Sequence, residues 1–184
     1  MDKSNLPIVS KGLMLLFISG IVTIFSGIPF LGAIAAIASG IISVYGLFTL
    51  SGCHPAFKTA LTAAVVGVVL NIVSNFLSLL GITAVAGSIA SFFSTYLICT
   101  TIDEINTAFG VAQTPNGALV WKLQLVSVAV GIPGTFITAL MLVSPLFLVI
   151  VALVTLVAVI AVVVAAIFYM ILLYKSSKAL EAAA

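Results

Sequence analysis

Long apolar runs separated by brief polar marks fill the chain, and the marks recur in a fixed order. Lys11 opens a run that stays apolar to Ile28, turns at Pro29 and returns apolar to Leu50 and Ser51. Lys58 opens a second run, which turns near Gly81 and returns past Tyr96 to Asp103 and Glu104. Lys122 opens a third, which turns at Ser144-Pro145 and returns past Tyr169 to Lys175. These runs are apolar on every face instead of alternating, which predicts spanning helices and not barrel strands. A helix also keeps its backbone hydrogen bonds within one segment, as hydrocarbon demands, and about 20 apolar residues carry it across. The pattern therefore predicts an all-α polytopic transmembrane bundle with six spans as three tandem helical hairpins, 11–51, 57–104 and 121–175, in a single domain over 1–184. A short polar leader, 1–10, and a polar tail, 175–184, flank them.

Within this plan each arm carries its own signals. The first, from Gly12 to Ile28, reads as a span and not as a cleaved signal peptide, because the apolar character continues through Ala33, Ala35, Ala36 and Ala38 into a second span. That second arm places Gly32, Ala36 and Gly40 at four-residue spacing. Small residues so spaced let two helix backbones approach closely in lipid, where packing and not water exclusion drives association. These residues are the candidate helix-packing face.

The third arm puts Ala63, Gly67, Asn71, Ser74, Asn75 and Ser78 on one helical stripe, and the fourth answers with Ser88, Ser91, Ser94 and Thr95. Asn71, Ser74, Asn75, Ser88 and Ser91 form a candidate polar intramembrane site, joined by Pro133. Gly131-Ile132-Pro133-Gly134 interrupts the fifth arm, where a proline removes a helical hydrogen bond and predicts a kink or a local break. Past Cys99 the fourth helix is expected to continue as a short surface piece around Asp103, Glu104 and Asn106. Thr114-Pro115-Asn116-Gly117 signals a turn, and Trp121-Lys122 an interfacial anchor. The sixth arm, from Pro145 to Tyr174, is expected to end at the polar run Lys175-Ser176-Ser177-Lys178.

Composition turns this pattern into a compartment. Apolar residues make up 64% of the chain and charged residues 5%, against about 45–50% and about 25% in soluble domains. The charged residues are Asp2, Lys3, Lys11, Lys58, Asp103, Glu104, Lys122, Lys175, Lys178 and Glu181. All fall on one side of the expected bundle, while the turns near Pro29, Gly81 and Pro145 carry none. Lysine excess marks the cytoplasmic face, so both termini are expected inside and the protein in the plasma (inner) membrane. A model with fewer spans would place Lys58 or Lys122 in lipid, at about 2.5–3.5 kcal/mol on insertion scales.

The chemistry on offer is sparse. No ionisable residue falls near the middle of an expected span, so proton relays and voltage sensing lack their groups. Cys53, His54, Cys99, Asp103 and Glu104 share the charged side, but their spacing matches no metal motif. No nucleophile elbow, zinc-protease pair or phosphate loop is present, and a net charge of +2 without a basic patch gives nucleic acid no footing. The expectation is therefore no enzyme, no cofactor and no metal. The expected role is a structural or accessory membrane protein, with the lipid bilayer and either a second copy or another membrane protein as partners. A small channel or carrier for an uncharged solute, lined by Asn71, Asn75, Ser88 and Ser91, is the alternative.

Overall fold

The computed structural model describes residues 3–25, 28, 31–77, 82–113, 115–137 and 145–184, with all their side chains except those of 33, 71–77, 82–84, 127, 130–137 and 145–151. Six helices follow one another: α1 (Leu6–Ile24), α2 (Gly32–Ser51), α3 (Pro55–Leu77), α4 (Ile82–Ala108), α5 (Gly117–Ile137) and α6 (Pro145–Ala183). A 3-10 turn, Lys3–Asn5, precedes the first, and no strand occurs among the described residues. Each helix packs on its neighbours in the chain, and α6 returns to α1, so the six form a ring in chain order.

Four stretches among the described residues are long and apolar enough to cross a membrane: Lys3–Ile24, Ile34–Ser51, Val85–Ala108 and Ala152–Ala183. The described apolar parts of α3 and α5 are shorter, Pro55–Leu70 and Gly117–Val126. Large apolar side chains such as Ile37 at 66% and Val157 at 60% exposure lie on the outside. Water would penalise such a surface and lipid would not.

Among the described residues the buried apolar side chains gather at the charged end. Leu6, Val9 and Leu13 of α1, Leu50 of α2, Phe57 of α3, Ile102 of α4, Val120 of α5, and Leu172, Leu173 and Leu180 of α6 are all buried there. No described side chain of α6 between 152 and 163 is buried.

Two boundaries differ from those the sequence suggests. Helix α1 begins inside the expected leader, because Leu6, Val9, Leu13 and Leu16 keep helical spacing on one buried face and Pro7, early in the first turn, forfeits no hydrogen bond there. Helix α6 does not end at Lys175: Ser176 and Ser177 point inward at 0% and 1% exposure, and Leu180 continues their stripe. Helix α4 continues past Cys99 to Ala108, with Ile102 and Ile105 joining the core. Helix α5 runs unbroken as far as Ile137, so the local break expected at Pro133 is absent from its backbone.

Two helix contacts are made by glycine and hydroxyl groups. Where α1 crosses α2, a Cβ on Gly12 would lie 2.5 Å from Leu50 Cγ, and one on Gly46 would lie 3.3 Å from the Gly12 carbonyl oxygen. Beyond this crossing Ser19 donates to the Ser39 carbonyl at 2.9 Å and shares a 2.6 Å bond with the Ser43 hydroxyl. Where α3 meets α4, a Cβ on Gly67 would sit 2.8 Å from Ser91 Oγ, and Ser94 donates to the Ala60 carbonyl at 2.9 Å. Close backbones and interhelical hydroxyl bonds are how helices associate where hydrophobic exclusion is absent.

Candidate functional site

The polar stripe of α3 and α4 is the first place to look. Ser91 lies against Gly67 and Ser94 is bonded to Ala60, so the two stripes do meet. Ser88 and Ser91 are exposed on α4. The side chains of Asn71, Ser74, Asn75 and Pro133 lie outside the described residues, so the expected amide pair is not placed.

On α2 the candidate packing face is placed, and at Gly40 it makes no close contact among the described residues. Ala36 is exposed, Gly40 has nothing within 4 Å of where a Cβ would stand, and Gly32 is half-buried. Instead α2 turns Ala35, Ser39, Gly46 and Leu50 inward to α1. On that side the Ser43 hydroxyl and the Ser39 carbonyl meet Ser19 of α1, while Ala36 and Gly40, one residue further round the helix, have no polar side chain that needs a partner. They floor an outward groove of 700 Å³ with Ile37, Ile41, Tyr45 and Phe48, closed on one side by Val68 of α3.

A second polar feature was not singled out by sequence reasoning. At the charged end, Asn106 of α4 donates through Nδ2 to Ser176 Oγ at 3.0 Å, and Ser176 donates to Gln113 Oε1 at 2.9 Å. Beside it Ser177 donates to the Ser10 carbonyl at 2.9 Å and lies 3.1 Å from the Ser10 hydroxyl. All of these serines are buried, as is Asn106, whose Oδ1 has no hydrogen-bond partner. The readable signal was the spacing of Leu173, Ser176, Ser177 and Leu180, which continues the apolar stripe through the polar run.

Both helix ends that flank the loop feeding this junction are capped. Helix α4 ends with Gly110 at φ 69°, with Val111 N–H donating to the Asn106 carbonyl at 2.7 Å and Gly110 N–H to the Thr107 carbonyl at 3.1 Å. A left-handed residue is needed at that position, and glycine takes it without strain. At the start of α5, Asp103 Oδ1 accepts from Gly117 N–H at 2.6 Å and Oδ2 from Ala118 N–H at 2.9 Å, while Asn116 Oδ1 accepts from Leu119 N–H at 3.0 Å. The first three donors of the helix, which have no partner within it, are thereby satisfied. A Cβ on Gly117 would overlap the Cys99 carbonyl, so only glycine lets α5 start this close to α4.

The remaining chemistry-bearing groups serve the fold. His54 Nδ1 accepts the Ala56 N–H at 3.3 Å and caps α3, with its ring edge-on to Phe57. Burial pushes the thiol of the half-buried Cys53 above its ordinary range. Cys99 is buried in the core. Among the described residues no group of three His, Cys, Asp or Glu gathers where a metal ion could be held.

Comparison with protein-family models, curated proteins and solved structures finds no match to the chain.

Proposed function

We propose that the protein is a six-span structural or accessory membrane protein that associates laterally through the outer face of α2. The observation that carries this reading is the groove floored by Ala36 and Gly40: it is apolar, lies on the outside, and leaves a glycine uncovered in mid-helix. A catalytic or transport centre is not assigned: Ser91 and Ser94 serve helix contacts at Gly67 and Ala60, and the side chains of the candidate amides on α3 lie outside the described residues.

Six spans as three hairpins, with both termini cytoplasmic, accompany this proposal. Its support is that the described charged side chains belong to the end where α1 begins, α6 finishes, and Asp103 meets Gly117. Aromatic groups gather near the same end: Tyr96 and Trp121 meet edge-on at 5.2 Å, and Lys122 Nζ lies 5.9 Å from the Trp121 ring. Such rings and lysines suit the headgroup level.

The test is vectorial labelling in a background lacking Cys53 and Cys99. Single cysteines replacing Pro29, Gly81 and Pro145 should react with an impermeant thiol reagent from outside the cell, while one restored at Cys53 should not. Reaction at Cys53 alone from outside would reverse the orientation.

A further inference from the structure

We infer that the cleft between the start of α1 and the end of α6 binds an anionic phospholipid, with its phosphate between Lys11 and Lys178 and an acyl chain along Met14, Leu15 and Ile18. The cleft has a volume of 510 Å³ and is walled by both helices. Its floor is the buried bond between Ser10 and Ser177, which holds the two walls together. Along it the chemistry changes in one direction. At the charged end stand Lys11, Lys178 and Glu181; one to two turns further along α1 the wall is Met14, Leu15 and Ile18. A lipid has the same gradient, with an anionic head and an apolar tail, whereas a soluble anion would leave the apolar wall unused.

The charges match as well. Lys178 is bonded to Glu181 at 2.8 Å, but this pair is exposed, with half or more of each side chain in solvent. Water screens such a pair and makes it cheap to open. Lys11 is exposed and belongs to no ion pair among the described residues. The cleft therefore holds one free lysine and one that can be shared. Basic pockets between spanning helices are suited to anionic lipid headgroups. The site rests on the membrane assignment but not on lateral association through α2 or on the direction of insertion.

Purified protein in a neutral detergent provides the test. Phosphatidylglycerol should raise the thermal midpoint, and phosphatidylcholine with the same chains should not. Lys11→Gln and Lys178→Gln should each raise the half-saturating lipid concentration about fivefold, and together about 25-fold. Lys58→Gln, which removes the same charge at the start of α3, should leave it unchanged. Native mass spectrometry counts the retained lipid and gives the same comparison for any variant whose midpoint shifts without lipid. Equal stabilisation by glycerol phosphate would make this a soluble-anion site, and equal weakening by Lys58→Gln would reduce it to general attraction; either result overturns the inference. Because detergent has no sides, reversed cysteine labelling would leave this result standing.

Discussion

Asp103 on α4 holds the first two backbone donors of α5, with Gly117 N–H at 2.6 Å from Oδ1 and Ala118 N–H at 2.9 Å from Oδ2. One carboxylate thus joins two helices through charge-assisted bonds, and it favours the positive end of α5 as well. Asp103→Ala should lower stability by about 1–2 kcal/mol, and Asp103→Asn by less because one acceptor remains. Detergent unfolding of the two variants checks the order; equal loss would show that the acceptor has no role.

Gly12 and Gly40 separate packing within the chain from packing between chains. Gly12→Ala drives a methyl group into Leu50 and should cost about 1–3 kcal/mol through overpacking. Gly40→Leu meets no atom within 4 Å of its Cβ, so monomer stability should hold. Cross-linking in membranes should then show fewer dimers for Gly40→Leu alone. Undiminished dimers would remove the groove as an association surface.

Leu180 decides whether the last turns of α6 matter. The side chain is fully buried, so Leu180→Ala should cost about 2–4 kcal/mol, whereas Val157→Ala on the exposed face should cost little. Similar midpoints for both would mean that the end of α6 is not docked.

Asn106 offers a pH test. Its amide is buried and its Oδ1 unpartnered, so a carboxylate there would be desolvated. Asn106→Asp should therefore have a folded-state pKa above the unfolded value of about 3.9. A raised acid is least harmful when protonated in both states, and its penalty grows as pH rises through and above the unfolded value. Unfolding at pH 7 should show a deficit of about 2 kcal/mol or more that shrinks toward pH 4. A deficit independent of pH would place the residue in contact with water.

Cys53 gives a chemical readout of its loop. Burial raises its thiol pKa, and the thiolate is the reactive form. The rate of alkylation should consequently rise at higher pH in the folded protein than in the denatured chain. Superimposable pH–rate curves would mean that the thiol is free in solvent.

Much of the architecture follows from the sequence alone, because apolar runs of spanning length and the placement of few charges depend on composition along the chain. The lysines and acids fall where α1, α3 and α5 begin and where α4 and α6 end, and Gly67 with the α4 serines already describes one helix contact. What the sequence could not decide was rotation about each helix axis. The spacing of small residues singles out Gly32, Ala36 and Gly40 on α2 without saying whether that side faces α1 or lipid. Tertiary structure turns Gly46 to α1 and brings Ser19 within bonding distance of the Ser39 carbonyl and the Ser43 hydroxyl. The ends of α1 and α6 were hidden for a related reason. Ser10, Ser176 and Ser177 read as solvent-facing until Asn106 and Gln113, distant in sequence, arrive to bond the junction they form. Hydroxyl groups carry no intrinsic preference for water strong enough to resist such partners, so their burial is settled by the assembled bundle.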